Sequence, residues 1–162
     1  MSQKVKNHFR KADPRLFKVL QKIGDLEDIS PIPPKEYFSR LCREIIAQQL
    51  SSKVAETFIK RFRALFPQKS ITPERLLRLQ DVALRTVGIS WAKVRYLKDL
   101  AQKVQKKEVL LEDLQRLDDK AVIAHLTKVK GIGNWTAEMF LMFSLGREDV
   151  FSCGDLGLQK AI

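Results

Sequence analysis

Start and stop signals for helices recur so closely along this chain that only a succession of short helices fits them. Asp13-Pro14 reads as an N-cap followed by a proline in the first helical position; Leu16, Phe17, Leu20 and Ile23 form one face, and Gly24 ends the segment. Pro31, Pro33 and Pro34 make an extended connector. Phe38, Leu41, Ile45 and Ile46 mark a second helix reaching about Gln49. Ser51 or Ser52 caps a third, with Val54, Ala55, Phe58, Ile59, Phe62 and Leu65 inward. Thr72-Pro73 opens a short helix, residues 81–87 form another closed by Gly88, and Ser90 caps a longer one carrying Val94, Leu97, Leu100, Ala101 and Val104. A helical turn over 111–117 precedes Asp118, which caps a helix through Leu126; residues 135–145 follow, ended by Gly146, and Asp155 caps a last segment. Alternating strand patterns are nearly absent, so the predicted fold class is all-α.

At 162 residues the chain suits one domain, or two small lobes sharing a cleft. Its 30 Lys+Arg against 19 Asp+Glu give a formal net charge of +11, which favours a polyanionic partner because each neutralised phosphate releases counterions. Simple solubility is the bland alternative. Two cysteines, Cys42 and Cys153, are too few for a four-cysteine metal or iron–sulfur site, and that scarcity fits an intracellular, reducing compartment. Cys42 lies among apolar residues and reads as a core thiol. The first residues carry no apolar run like a signal peptide, and no later stretch is suited to span a membrane. Residues 1–12 read as a basic tail ahead of a domain over 13–162.

One motif carries more chemistry than the rest. The run Leu126-Thr127-Lys128-Val129-Lys130-Gly131-Ile132-Gly133-Asn134-Trp135-Thr136-Ala137-Glu138 reads as helix, glycine hairpin, helix, with the hairpin at about 127–138. Asp155 follows one helix and one loop later. Gly131 and Gly133 flank Ile132, an apolar plug, and permit positive φ or close approach of another backbone. The turn exposes N–H groups at a helix start, where orphan donors and the positive end of the helix dipole hold a phosphate. Lys128 and Lys130 beside the turn, and the Thr136 hydroxyl in the first helical turn, strengthen that reading over an ordinary corner between helices.

With those residues in view, the sequence resembles the helix-hairpin-helix DNA glycosylases of the endonuclease III superfamily. The branch it is most similar to is 3-methyladenine DNA glycosylase II, which excises alkylated purines. Three stretches carry the resemblance: residues 41–51 (Leu-Cys-Arg-Glu-Ile-Ile-Ala-Gln-Gln-Leu-Ser), residues 84–101 with Gly88-Ile89-Ser90 and Lys93, and residues 129–155 with Gly-Ile-Gly-x-Trp-Thr-Ala and the downstream Asp. The resemblance implies a two-lobed helical HhH-GPD fold with a DNA-binding cleft. Relatives continue for tens of residues beyond their catalytic acid, so it also implies that C-terminal helices are missing here, leaving Leu156, Leu158 and Ile162 exposed.

The same resemblance assigns roles. The hairpin amides that grip phosphate fall on Gly131, Gly133 and Thr136, with Lys130 in place of the family's usual proline. A monovalent cation, Na+ or K+, would be held by the carbonyls of Thr127, Val129 and Gly131; no iron–sulfur cluster is implied. The catalytic acid falls on Asp155, preceded by Gly154 where some relatives have a second acid. It would stabilise an oxocarbenium-like sugar and orient or deprotonate water; the plain alternative is an N-cap, and both roles can coexist. Trp135 would line the base pocket through stacking and cation–π attraction. Bifunctional relatives carry a lysine nucleophile at that position, so a monofunctional enzyme without lyase activity is implied. Leu50 would fill the gap left by a flipped nucleotide, or be an ordinary helix-end leucine, and Gln49 would hydrogen-bond nearby. For Trp91, Tyr37 and Phe38 core packing is expected over a place lining the cleft, and His8 and His125 receive no chemistry. The implied partner is double-stranded DNA containing a damaged base, bound by a monomer. Two alternatives stay open: a noncatalytic DNA-binding module, and a glycosylase for uracil, hypoxanthine or oxidised guanine.

Overall fold

The computed structural model describes residues 3–24 and 29–161, and no strand occurs among them. The chain divides into two compact units, residues 1–30 and 31–162. The first holds α1 (Gln3–Ala12) and α2 (Pro14–Ile23), packed on each other. Asp13 caps α2 as its sequence requires, its Oδ1 accepting from the backbone N–H groups of Arg15 and Leu16, and Gly24 closes the helix at φ 84°. Residues 3–12, expected as a tail, are therefore helical, their apolar and basic side chains segregating on opposite faces.

The second unit contains α3 (Tyr37–Ala47), α4 (Ser52–Ala64), α5 (Pro73–Arg78), α6 (Asp81–Thr86), α7 (Trp91–Gln105), α8 (Asp119–Leu126), α9 (Asn134–Phe143) and α10 (Leu156–Ala161). Short 3-10 segments over Pro34–Glu36, Pro67–Lys69 and Leu111–Arg116 lie between the α-helices. α7 packs on α3, α5 and α6, and α8 pairs with α9. The core is one cluster in which Leu41, Ile45, Phe62, Leu97, Leu100 and Leu126 are fully buried, each contributing about 1.5–3 kcal/mol by leaving water. Tyr37 meets Phe140 edge to face at 5.3 Å and donates its hydroxyl to Gln115, so Tyr37 and Phe38 are core residues as expected. Cys42 is fully buried, and burial pushes its thiol pKa up.

Local cap chemistry explains most boundaries. Thr72, Ser90 and Asp118 each accept a backbone N–H three residues on, opening α5, α7 and α8. Ser51 occupies the N-cap of α4 without a side-chain cap bond. Two expectations about burial are corrected. Val54 is 40% exposed, because it lies one helical step outside the stripe formed by Ala55, Ile59 and Phe62. Trp91 is 50% exposed, off the inward stripe of α7, and the Arg85 guanidinium covers its ring at 5.3 Å. Leu156 and Leu158 are exposed as anticipated, while Ile162 lies outside the described residues.

Candidate active site

The hairpin between α8 and α9 is fixed from three sides. Ile132 is buried, and its N–H donates to the Val129 carbonyl at 3.1 Å, closing the turn. Gly131 adopts φ 83°, and a Cβ there would lie 2.2 Å from the Tyr96 ring, so both conformation and space demand glycine. The backbone N–H of Lys130 donates to Asp99 Oδ2 at 2.8 Å, tying the turn to α7; the Lys130 side chain itself is exposed. Gly133 corrects its expectation: it is extended, at φ −95° and ψ 178°, with nothing within 4 Å of where a Cβ would stand. What its lack of a side chain provides is open space before the first turn of α9.

Gly133 offers no side-chain cap, and an α-helix leaves its first N–H groups without intrahelical partners. Asn134, Trp135 and Thr136 therefore present donors at the positive end of a ten-residue helix. The Thr136 side chain is buried rather than presented outward, its hydroxyl 3.4 Å from Gln48 Nε2. What it presents at the helix start is thus the backbone N–H, not the hydroxyl.

The loop carrying Asp155 is anchored to α9 by the buried Ser152, whose hydroxyl donates to Glu138. Asp155 donates its N–H to the Ser152 carbonyl at 3.1 Å. Its carboxylate then accepts twice: Oδ1 from the Leu158 N–H at 2.9 Å, capping α10, and Oδ2 from Trp135 Nε1 at 2.7 Å. The Trp135 indole N–H foremost, then the Leu158 N–H, hold the carboxyl below its ordinary pKa. Asp155 is consequently an oriented anion.

Trp135 also borders an open groove of about 570 Å³ with Gln48, Gln49, Leu50, Lys93 and Thr136. Gln49 and Leu50 sit on the turn between α3 and α4; Gln49 is exposed at φ 57°, and Leu50 is half-buried. A left-handed non-glycine residue costs roughly 1–3 kcal/mol and persists only where its surroundings hold it. Here the holders are Lys93, whose Nζ donates to the Ile46 and Gln48 carbonyls at 2.7 Å each, and Gln48, whose Nε2 donates to the Gly131 carbonyl at 2.8 Å. Partial burial lowers the Lys93 pKa.

The structure therefore places Trp135, Leu50, Gln49, Gly131 and Thr136 around one groove; Asp155 and Gly133 do not line it, and Asp155 is joined to it through the Trp135 indole. The structure adds four residues to which the sequence assigns no role: Gln48, Lys93, Asp99 and Glu138. Two left a signal, since Asp99 is the lone acid of α7 and Glu138 the lone charge of α9. Among the described residues no cluster of His, Cys, Asp and Glu suits a metal ion.

Comparison with known proteins is consistent with this geometry. Residues 42–162 match the model of the HhH-GPD superfamily of base excision DNA repair proteins. DNA-3-methyladenine glycosylase 1 of Schizosaccharomyces pombe is 32% identical over 97% of this chain, which spans 70% of that relative. The solved structure of the Schizosaccharomyces pombe 3-methyladenine DNA glycosylase in complex with abasic DNA superposes with a TM-score of 0.84, at 32% identity over 96% of this chain and 77% of that one. A DNA-3-methyladenine glycosidase from Bacillus halodurans gives 0.80, at 39% identity over 98% of this chain and 71% of that one.

Proposed function

This chain belongs to the HhH-GPD superfamily of base excision DNA repair proteins, and we propose from that premise that it hydrolyses the N-glycosidic bond of alkylated purines in duplex DNA. The observation that carries the proposal is the Trp135–Asp155 pair beside the uncapped start of α9. Donors of the hairpin and of the first turn of α9 take the phosphate flanking the lesion. Leu50 occupies the gap in the stack, with Gln49 beside it, and the extruded nucleotide enters the groove bordered by Trp135.

A purine alkylated at N3 or N7 already carries positive charge and departs without a strong general acid. As the bond lengthens, the sugar acquires oxocarbenium character. The Asp155 carboxylate, held ionised by two N–H donors, stabilises that charge and orients or deprotonates the incoming water. The Trp135 indole gives its N–H to Asp155 while its ring borders the groove, where a cationic base gains by stacking. Tryptophan at this position supplies no amine for a Schiff base, so the enzyme is monofunctional. A duplex with a damaged base is the partner, bound by a monomer inside the cell. For Na+ or K+ at the hairpin, the Val129 and Gly131 carbonyls already accept from Ile132 N–H and Gln48 Nε2, and each keeps a second lone pair that could hold the ion together with the Thr127 carbonyl.

The test is release of free base from duplexes carrying 7-methylguanine or 3-methyladenine, alongside uracil, hypoxanthine and oxidised guanine. Release confined to the alkylated purines is the expected result. Duplex binding with no release of any base would leave a DNA-binding module, and release of another lesion alone would reassign the substrate.

A further inference from the structure

The turn that carries Leu50 and the hairpin that grips phosphate are joined by one chain of hydrogen bonds, although its link from Gln48 to Gly131 spans 83 residues of sequence. The ammonium of Lys93 on α7 donates to the carbonyls of Ile46 and Gln48, both at 2.7 Å. Those oxygens belong to the last turn of α3 and to the residue just after it, where orphan carbonyls and the negative end of the helix dipole favour a cation. The side chain of Gln48 continues the chain, its Nε2 donating to the Gly131 carbonyl at 2.8 Å and lying 3.4 Å from the Thr136 hydroxyl. Between Gln48 and Leu50 stands Gln49 at φ 57°, a conformation that non-glycine residues hold only under constraint. On the far side of Gln49 the turn is closed by a single bond, from the Leu50 N–H to the Ala47 carbonyl.

We propose that Lys93 is a positioning residue for base extrusion: its ammonium holds the Gln49-Leu50 turn in the register from which Leu50 enters the duplex, and Gln48 ties that register to the phosphate-gripping hairpin. The proposal rests on the glycosylase reading of this site and names a group that touches neither base nor sugar. Its logic is one of constraint. The doubly charge-assisted clamp on the carbonyls before Gln49 is the strongest of the bonds that hold this turn, and its loss is expected to let the turn relax toward negative φ and shift Leu50 in the groove. Because Gln48 donates to the hairpin carbonyl, the turn that carries Leu50 is held in register with the hairpin.

The experiment uses a duplex with 2-aminopurine next to a 7-methylguanine, whose fluorescence rises when the neighbouring nucleotide leaves the stack. Lys93→Met is expected to lose that rise and to slow base release by about 100-fold, the scale of a positional error of about an ångström. Its salt-dependent affinity for undamaged duplex stays at the wild-type level, because the hairpin donors are intact. Lys93→Arg retains two donors for the same carbonyls and restores the fluorescence rise. In a cycle with Leu50→Ala, the double variant is expected to extrude no worse than Leu50→Ala alone, since Lys93 acts through Leu50. Gln48→Ala keeps the backbone carbonyl but cuts the link to the hairpin, and it too is expected to lose the rise; it carries the test if Lys93→Met does not fold. Wild-type extrusion by Lys93→Met or by Gln48→Ala, or losses that multiply in the cycle, would overturn the inference alone. Wild-type protein that neither extrudes nor releases a base overturns the functional reading, and this inference with it.

Discussion

The indole N–H of Trp135, in the first turn of α9, donates to Oδ2 of Asp155, the N-cap of α10, across 2.7 Å. The other carboxylate oxygen caps α10 through the Leu158 N–H. Capping and chemistry are therefore compatible in one side chain: the bonds that finish a helix also stop the carboxylate from rotating. The same indole borders the groove, so one residue both orients the carboxylate and lines the open space beside it.

That pairing fixes a pH dependence. The indole N–H favours the charged form of Asp155 and lowers its pKa. Base release that needs the carboxylate therefore persists as pH falls below the usual carboxylate range, and any stability from the pair is lost progressively as pH falls from the ordinary carboxylate value through the depressed one. Trp135→Phe removes the donor and keeps an aromatic ring. The acid limb of its pH–rate profile is expected to move upward toward an ordinary carboxylate; an unmoved limb would dissociate the indole from the ionisation of Asp155.

Gly131 and Gly133 should respond in opposite ways to alanine. At Gly131 a methyl group meets both a positive φ and the Tyr96 ring, which should cost about 1–3 kcal/mol in thermal or denaturant unfolding. At Gly133 the backbone is extended and the surrounding space open, so stability should stay within about 0.5 kcal/mol. Its methyl group instead occupies open space that a phosphate approaching the start of α9 would use, and duplex affinity should fall. A Gly133→Ala protein that binds duplex like wild type would place the phosphate elsewhere.

Glu138 anchors the loop that delivers the acid. Glu138→Ala leaves the buried Ser152 hydroxyl without its acceptor, a loss of about 1–3 kcal/mol. Base release should fall more steeply than duplex affinity, because the hairpin is untouched while Asp155 is no longer held in place. Equal losses in both would mean that Glu138 supports the helix rather than the acid.

Helix caps were legible because their chemistry is local. Asp13, Thr72, Ser90, Asp118 and Asp155 each accept an N–H three residues ahead, a relation that sequence spacing states outright. The all-α class, the buried Ile132 plug and the hairpin position followed from the same short-range signals. The ties that assemble the site did not, because they join distant segments: Gln48 to Gly131, Lys93 to Gln48, Asp99 to Lys130. Nothing in the neighbourhood of Gln48 says which of two adjacent glutamines faces the hairpin. Gly133 was misjudged for a related reason: a glycine signals backbone freedom or open space alike, and only the fold tells which. Trp91 was expected in the core, but its place on α7 leaves it half exposed, with the Arg85 guanidinium over its ring.

The central claim is that one oriented carboxylate assists departure of the base. Asp155→Asn keeps an oxygen to accept the Leu158 N–H, so folding should stay within about 1 kcal/mol of wild type, and duplex binding through the hairpin should persist. Single-turnover release of 7-methylguanine from a defined duplex is then the decisive measurement. The account predicts a fall of at least about 100-fold for Asp155→Asn against wild type; release at a comparable rate by the folded variant would contradict it.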